Sequence, residues 1–457
     1  MKKMDNHSGF IATRSNRLLV AVLTLLTVSL AIQAQDYARM TERTIMGTAR
    51  YVGMGGAMTA IGGDPSAVHD NPAGLGLYRR MEVMLTLDNT LDYTRQEGTK
   101  NEGYNRLFMA PQASIVFSVP NNYVTSDEGI QFNNVMLSYH RRHTYNREQL
   151  AAMANDKSLG ALLASYGIDM GVPYCQDAVC NMHGMSLKEV GAVNEFALDW
   201  AMNISNKWYV GLGIHTWAYN LSSNAKYDEV FDRVDLQGNP QWNANDTRLT
   251  FSGVGCSASA GLIYRPLSWL RMGIGLQTPT VGSLTTGVSG LFTAYTDSAR
   301  YSSVPDSYSR DPKFHMPMHL SASLAFQVGA YGLLSLQYDY DHRDKLPAYH
   351  SLRAGIEVVP VLGMYINAGY AYESTFAQYS VVPMDPTFYR QDTYFQQPRW
   401  TQYASVAVGY RGTYMIVEAA YQYRLQRWYF SAHEDAMPYD MRADTHRIVL
   451  TLGWHHN

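Results

Sequence analysis

Charge is scarce in this chain of 457 residues. Asp, Glu, Lys and Arg make up only 16% of it, and the formal net charge is −3, against the quarter of charged residues usual in soluble domains. No basic stripe is present to invite a nucleic-acid partner. Cysteine is limited to three, and the C-x4-C spacing of Cys175 and Cys180 supplies too few ligands for zinc. Gly-Lys-Ser/Thr occurs nowhere, so a Walker phosphate loop is excluded. Long apolar runs are missing beyond the first 34 residues. Nothing later approaches the roughly 20 apolar residues of a transmembrane helix. If the chain is embedded in a membrane, it is embedded as strands.

The N-terminus reads as an address. Lys2, Lys3, Arg14 and Arg17 precede the apolar run LLVAVLTLLTVSLAI, and Ala34 offers a small residue for cleavage before Gln35. Residues 1–34 are thus expected to be a signal peptide. In an oxidising compartment Cys175 and Cys180 are close enough to close a small disulfide loop, although an ordinary reduced pair fits equally; Cys256 is left over. What the chain has in abundance is tyrosine, 34 of them, beside 36 Gly and 8 Trp. Rings with one polar tip suit a membrane–water girdle.

From Met81 onward the period is two. In NEFALDWAMN, Phe196, Leu198, Trp200 and Met202 alternate with Glu195, Ala197, Asp199 and Ala201. The same alternation runs through LLSLQYDYD (333–341) and YMIVEAAYQYR (414–424). About fourteen such segments begin near Met81, Pro111, Gly129, Gly191, Trp208, Leu249, Trp269, Met316, Tyr331, Tyr349, Val361, Trp400, Thr413 and His446. Periodicity cannot separate a soluble sandwich from a membrane barrel, but connection lengths can. Tight turns at 205–207, 266–268, 329–330, Pro360 and Gly412 alternate with long segments near 142–190, 222–247, 280–314, 374–399 and 428–444. Short turns on one rim and long loops on the other mark an all-β transmembrane antiparallel barrel, here residues 81–457. An even strand number closes such a sheet without an edge. A charge on the lipid face costs roughly 2–4 kcal/mol near the midplane, so Glu195, Asp199, Asp339, Arg353, Glu357 and Glu418 are expected to face the lumen. There they would either form a polar network or simply solvate the interior.

The stretch VGMGGAMTAIGGDPSAVHDNPAGLGL (52–77) raises a different question. A dinucleotide loop has G-x-G-x-x-G/A between a strand and a helix. Here Met58 replaces the third small residue and no βαβ context surrounds it. The segment from Ala49 to Leu75 instead resembles the N-terminal region of the FadL/TodX-type outer-membrane transporters of long-chain fatty acids and hydrocarbons. Further likeness lies in RPLSWLRMGIGLQTPT (265–280), in 316–344 and in SLRAGIEVVP (351–360). The resemblance implies that residues 35–80 fold as a hatch that plugs the lumen of a fourteen-stranded barrel. Gly53, Gly55, Gly56, Ala57, Gly62, Gly63, Asp64, Asn71, Pro72, Ala73 and Gly74 carry it. Glycine there permits close backbone approach, and Asn71-Pro72 favours an abrupt turn.

The segment near 142–190 is expected to be an outer loop containing a helix, because Leu159, Leu162, Leu163 and Tyr166 recur at i, i+3, i+4 and i+7. That stripe is either a capture groove for hydrophobic substrate or a lid packed on the rim. His315 and His319 share a strand face without partners at metal spacing, so no metal and no cofactor are expected. No Ser-His-Asp spacing is recognisable, which leaves no sign of an enzyme. The resemblance implies a monomer in the outer membrane of a diderm bacterium, passing hydrophobic small molecules such as long-chain fatty acids inward without an energy source. Two alternatives carry other partners: a secretion-system component that binds exported proteins, and a hemin receptor.

Overall fold

The computed structural model describes residues 42–100, 102–121, 128–159, 162, 179–231, 242–295, 300–303, 308–310, 313–342, 347–375, 395–433 and 435–456. The expected signal peptide, Leu163, Tyr166 and Cys175 lie outside these residues, as does the Cys180 side chain, so the disulfide question does too.

Alternation of lipid-facing and lumen-facing residues produces one closed antiparallel sheet. Its first half comprises β1 (Met81–Gln96), β2 (Glu102–Pro120), β3 (Ile130–Lys157), β4 (Val179–Ile204), β5 (Trp208–Val230) and β6 (Trp242–Leu267). The next two staves are interrupted. β7 (Leu270–Gln277) and β8 (Thr280–Tyr295) form one, broken at Pro279. β9 (Arg300–Ser303), β10 (Tyr308–Arg310), β11 (Lys313–Met316) and β12 (Met318–Val328) form the other, broken at Pro317 among other places. Proline cannot donate to a ladder, so each break is local chemistry. The remainder are β13 (Gly332–His342), β14 (Tyr349–Val361), β15 (Met364–Ser374), β16 (Phe395–Arg411), β17 (Met415–Ser431) and β18 (Tyr439–His456). β1 pairs with β18 from Met81↔His456 to Gln96↔Met441, which closes a barrel of fourteen staves.

Outward positions are apolar. In β4, Phe196 and Leu198 are about half exposed while Glu195, Ala197 and Asp199 are buried. Exposed Val83, Leu212, Ile214, Ile274, Leu336, Ile356, Val408 and Leu450 extend that surface around the wall. Aromatic residues mark its lower border: Trp208 stacks on Tyr264 with ring centroids 4.0 Å apart, and Trp454 is exposed on β18, elsewhere on the same rim. Towards the other border Tyr338 and Tyr421 hydroxyls lie 2.7 Å from His350 and His446 Nδ1. This is the arrangement of a bilayer-facing band between two girdles.

Several strands run further than their apolar alternation. β3 has 28 residues and β4 has 26, so 142–157 and 179–190 are strand rather than loop. The stretches 222–230 and 242–247 likewise belong to β5 and β6. The apolar/polar contrast is confined to the part of each strand that carries the exposed apolar belt. Beyond that belt the contrast fades and hydrogen bonding continues.

Residues 44–78 are almost wholly buried and touch inward-facing groups on most of the wall. Three short helical turns organise them: α1 (Ala49–Gly53), α2 (Pro65–Val68) and a 3-10 turn (Pro72–Leu77). Turns this short gain little from propensity, so side-chain capping holds them. Thr48 caps α1, and its hydroxyl donates to the Asp64 carboxylate at 2.8 and 2.7 Å. Asp64 in turn caps α2 by accepting from Ser66 N, and Ser66 Oγ accepts from Thr48 N. Asn71 caps the 3-10 turn through Ala73 N and reaches the wall at Leu262 O. Glycine is required where backbones meet. Gly55 has φ of +61°, and a Cβ there would lie 2.9 Å from Tyr370 N of β15. On the wall side, a Cβ at Gly273 would sit 2.7 Å from Ala60 Cα.

Candidate functional site: a charged seam, a cavity and a parted wall

Around residues 44–78 the inward-facing charges form a continuous seam. Arg50 donates to Glu357 through Nε at 2.7 Å and Nη2 at 2.9 Å, a bidentate pair. The Arg50 backbone N–H donates to Glu418, which also accepts from Arg411 Nε at 3.0 Å. Arg353 meets Asp339 at 2.9 Å and Asp70 at 3.6 Å, and donates to the Tyr51 hydroxyl. Tyr51 Oη donates to Asp70 at 2.5 Å. Burial works to raise the Asp70 carboxyl, but Arg142 and Arg353 outweigh it and hold the group below the usual carboxylate range. Burial prevails at Asp64, whose carboxyl is raised despite Arg411.

A second part of the seam gathers histidines. His69, His140 and His215 surround Glu195 and are buried. His215 Nδ1 is 2.6 Å from Glu195 Oε1, and His215 Nε2 is 2.7 Å from Ser259 Oγ. Gly213 leaves the room for this convergence, since a Cβ there would fall 2.7 Å from His215 Nε2. Ser259, His215 and Glu195 have the connectivity of a hydrolytic triad. Ser259, however, is buried in the β5–β6–β7 ladders beside the stretch of β6 that Asn71 covers. Its neighbouring N–H groups are committed to strand pairing, where an oxyanion hole needs free donors.

Above the seam lies a cavity of about 80 Å³. Its lining is mixed: Arg147, Arg424 and Asp92 on one part, and Met46, Leu107, Met109 and Tyr145 on another. Arg147 is 3.2 Å and Arg424 3.7 Å from Asp92.

Beside this cavity the β2–β3 hydrogen-bond ladder stops, although the two backbones meet again where a Cβ at Gly103 would run into the Glu148 carbonyl. β2 and β3 pair only from Gln112↔His140 to Pro120↔Phe132. Beyond that register β2 keeps its bonds to β1, with a shift between Thr86 and Asp88. β3 keeps its bonds to β4, with a shift at Arg141/His143 that leaves Arg142 unpaired. Pro111 ends the β2–β3 ladder because it has no N–H to donate. Side chains bridge the gap: Asn105 Nδ2 donates to Asn146 Oδ1 at 2.9 Å, and Thr144 Oγ1 lies 3.6 Å from Met109 Sδ.

The residues singled out from sequence fall as follows. Glu195, Asp199, Asp339, Arg353, Glu357 and Glu418 are buried inside the wall. Gly53, Gly55, Gly56, Ala57, Gly62, Gly63, Asp64, Asn71, Pro72, Ala73 and Gly74 lie in the segment those charges surround. Leu159 and Leu162 are buried against Leu187, Tyr227, Trp428 and Met441. These two members of the stripe are covered; Leu163 and Tyr166 lie outside the described residues. His319 is buried with Nδ1 2.8 Å from Asp341 Oδ1. Sequence reasoning missed Arg50, His69, Asp70, His140, Arg142, His215 and Arg411. For His215 a signal existed: it shares the inward face of β5 with Gly213 and Trp217.

No protein-family model matches the chain, and no curated protein does. Solved structures share its fold. A FadL homologue from Pseudomonas aeruginosa is 12% identical, with a TM-score of 0.58 over 90% of this chain and 99% of its own. The Ralstonia pickettii toluene transporter TbuX is 14% identical, with a TM-score of 0.53 over 90% of this chain and 99% of its own. The Pseudomonas putida toluene transporter TodX has 13% identity and a TM-score of 0.53 at the same coverage.

Proposed function

Starting from the fold it shares with these FadL-type channels, we propose that the chain is a passive outer-membrane channel for hydrophobic small molecules, with residues 44–78 as its hatch. The observation that carries this reading is the adjacency of three features: the buried segment, the cavity above it and the interrupted β2–β3 ladder beside that cavity. A hydrophobic molecule with a polar head, such as a long-chain fatty acid, suits the mixed lining. Its chain would lie against Met46, Leu107, Met109 and Tyr145, and its head near Arg147 and Arg424. Because the hatch fills the lumen below, the direct path onward is blocked. The gap between β2 and β3 offers a sideways exit into the apolar layer, where exposed Phe108 and Leu137 flank it. Diffusion down a gradient suffices. The hatch need not leave, which is consistent with its many bonds to the wall.

The test is a removable staple. N105C/N146C would replace the amide bridge across the gap with a disulfide, in a background lacking the native cysteines. Uptake of labelled oleate is expected to fall when the pair is oxidised and to recover on reduction. Unchanged uptake in the oxidised form would refute the sideways route. A strain lacking the chain altogether that takes up oleate normally would refute the transport reading.

A further inference from the structure

Three buried histidines point the same nitrogen at one carboxylate. His140 Nε2 is 3.1 Å from the Met46 carbonyl, which can only accept, so Nε2 carries the proton and Nδ1 is left as a lone pair. His69 Nε2 is 3.3 Å from Ser138 Oγ, and His215 Nε2 is 2.7 Å from Ser259 Oγ. The three Nδ1 atoms all face Glu195, at 3.3 Å for His69, 3.9 Å for His140 and 2.6 Å for His215. His69 Nδ1 and His140 Nδ1 are buried without a hydrogen-bond partner, whereas Glu195 Oε2 has Arg142 Nε at 2.9 Å. A buried imidazole lone pair aimed at a carboxylate is unfavourable, and a cation between the two relieves it.

We propose that His69, Glu195 and His215, with His140 as the fourth ligand, bind one zinc ion that ties the N-terminal segment to the wall. Ligand atoms of His69, Glu195 and His215 already lie within 4.8 Å of one another. Tetrahedral zinc, with bonds of about 2.0 Å, holds its ligands roughly 3.3 Å apart, so these three close in by about 1 Å, and His140, outside that group, turns toward them to complete the site. Imidazole and carboxylate suit zinc among the divalent first-row ions. The outer contacts are those a zinc site uses. Each histidine is oriented through its far nitrogen, by Ser138, Met46 or Ser259, and Asp199 Oδ1 stands 3.7 Å behind His215 Nε2.

The charged neighbours are compatible. Arg142 Nε is 2.9 Å from Glu195 Oε2 and its Nη1 is 3.2 Å from Asp70. The ion therefore takes Glu195 Oε1, and Arg142 keeps Oε2 as the carboxylate's outer partner. Across the connected seam six carboxylates (Asp70, Glu195, Asp199, Asp339, Asp341 and Glu373) face three guanidinium groups, Arg43, Arg142 and Arg353. A divalent cation reduces that buried excess of negative charge. β4 and β5 supply Glu195 and His215, β3 supplies His140, and His69 comes from the segment they enclose. The ion is thus a cross-link between two parts of the chain, not a reaction centre.

The experiment uses the full mature chain in detergent, stripped with a chelator and titrated with Zn2+ by calorimetry and with Co2+ by absorption spectroscopy. One ion per chain is expected, with the intense visible band of four-coordinate cobalt. H69A should weaken zinc binding tenfold or more. S138A removes only the group that orients His69 and should weaken it less, so a folding failure of H69A does not end the test. H455A/H456A, at the chain end, should bind as the wild type does. No saturable binding of either ion, or H69A and S138A binding as tightly as wild type, overturns the proposal. Transport plays no part in this readout, so it and the channel reading fail separately.

Discussion

Removing Arg50 should loosen the N-terminal segment by a calculable amount. Arg50 makes a bidentate pair with Glu357, with both side chains largely buried, at 13% and 10% exposure. Breaking a buried pair by deleting one partner costs about 3–5 kcal/mol, mostly because the other charge is stranded. The residual exposure of both groups, and Arg411 on the neighbouring Glu418, argue for the low end, about 3 kcal/mol. Local opening of the segment is an equilibrium separate from unfolding of the barrel. A cost of about 3 kcal/mol raises the open population roughly a hundredfold, at 1.4 kcal/mol per factor of ten. A reporter cysteine at buried Ala57, in a background without native cysteines, measures it through the rate of maleimide labelling. R50A should speed labelling by about two orders of magnitude. R50A/E357Q should recover much of the loss, since the stranded charge is gone. Equal labelling rates in wild type and R50A would refute the idea that this pair seats the segment.

Three further outcomes follow from the same geometry. G369L places a side chain on wall backbone that Gly53, Met54 and Gly55 abut; single-channel conductance in planar bilayers should rise as the segment is displaced. Asp70 has a depressed folded-state pKa, so the stability it contributes is fully present above about pH 4, its unfolded value, and is lost only as pH falls through the folded value. The difference in thermal stability between wild type and D70N should therefore stay constant from pH 8 to 5 and shrink below about 4. L162A removes a side chain buried among Leu187, Tyr227 and Met441 and should cost about 2–4 kcal/mol. Limited proteolysis should read this as earlier cutting near residue 160, with the barrel itself intact.

Much of the barrel was legible because lipid writes a two-residue period into every strand it touches. Trp208 and Tyr349 begin their strands where the alternation places them. The same cause explains the shortfall. Residues 142–157 run beyond the apolar belt, lose the contrast and read as loop, yet remain paired to β4. The interior charges were found by facing alone, since Glu195 and Asp199 alternate with Phe196 and Leu198. Their partners were not. Arg50 and His69 lie in a stretch without strand period, and their contacts to residues 357 and 195 span long separations that no local pattern encodes. The opening beside Pro111 depends on which neighbour fails to pair, and a single chain read alone does not show that.

Strand length has one more consequence. At about 3.3 Å per residue and a tilt near 40°, the 28 residues of β3 climb roughly 70 Å, whereas the 11 of β13 or β15 climb under about 30 Å. An apolar belt about 25 Å tall consumes nearly all of the short staves and barely a third of the tall ones. Among the described residues the strands are therefore unequal in height, tallest from β3 to β6. On the inner side of those tall strands Trp217, Tyr219, Leu249 and Phe251 are buried against one another, an apolar brace within the high part of the wall.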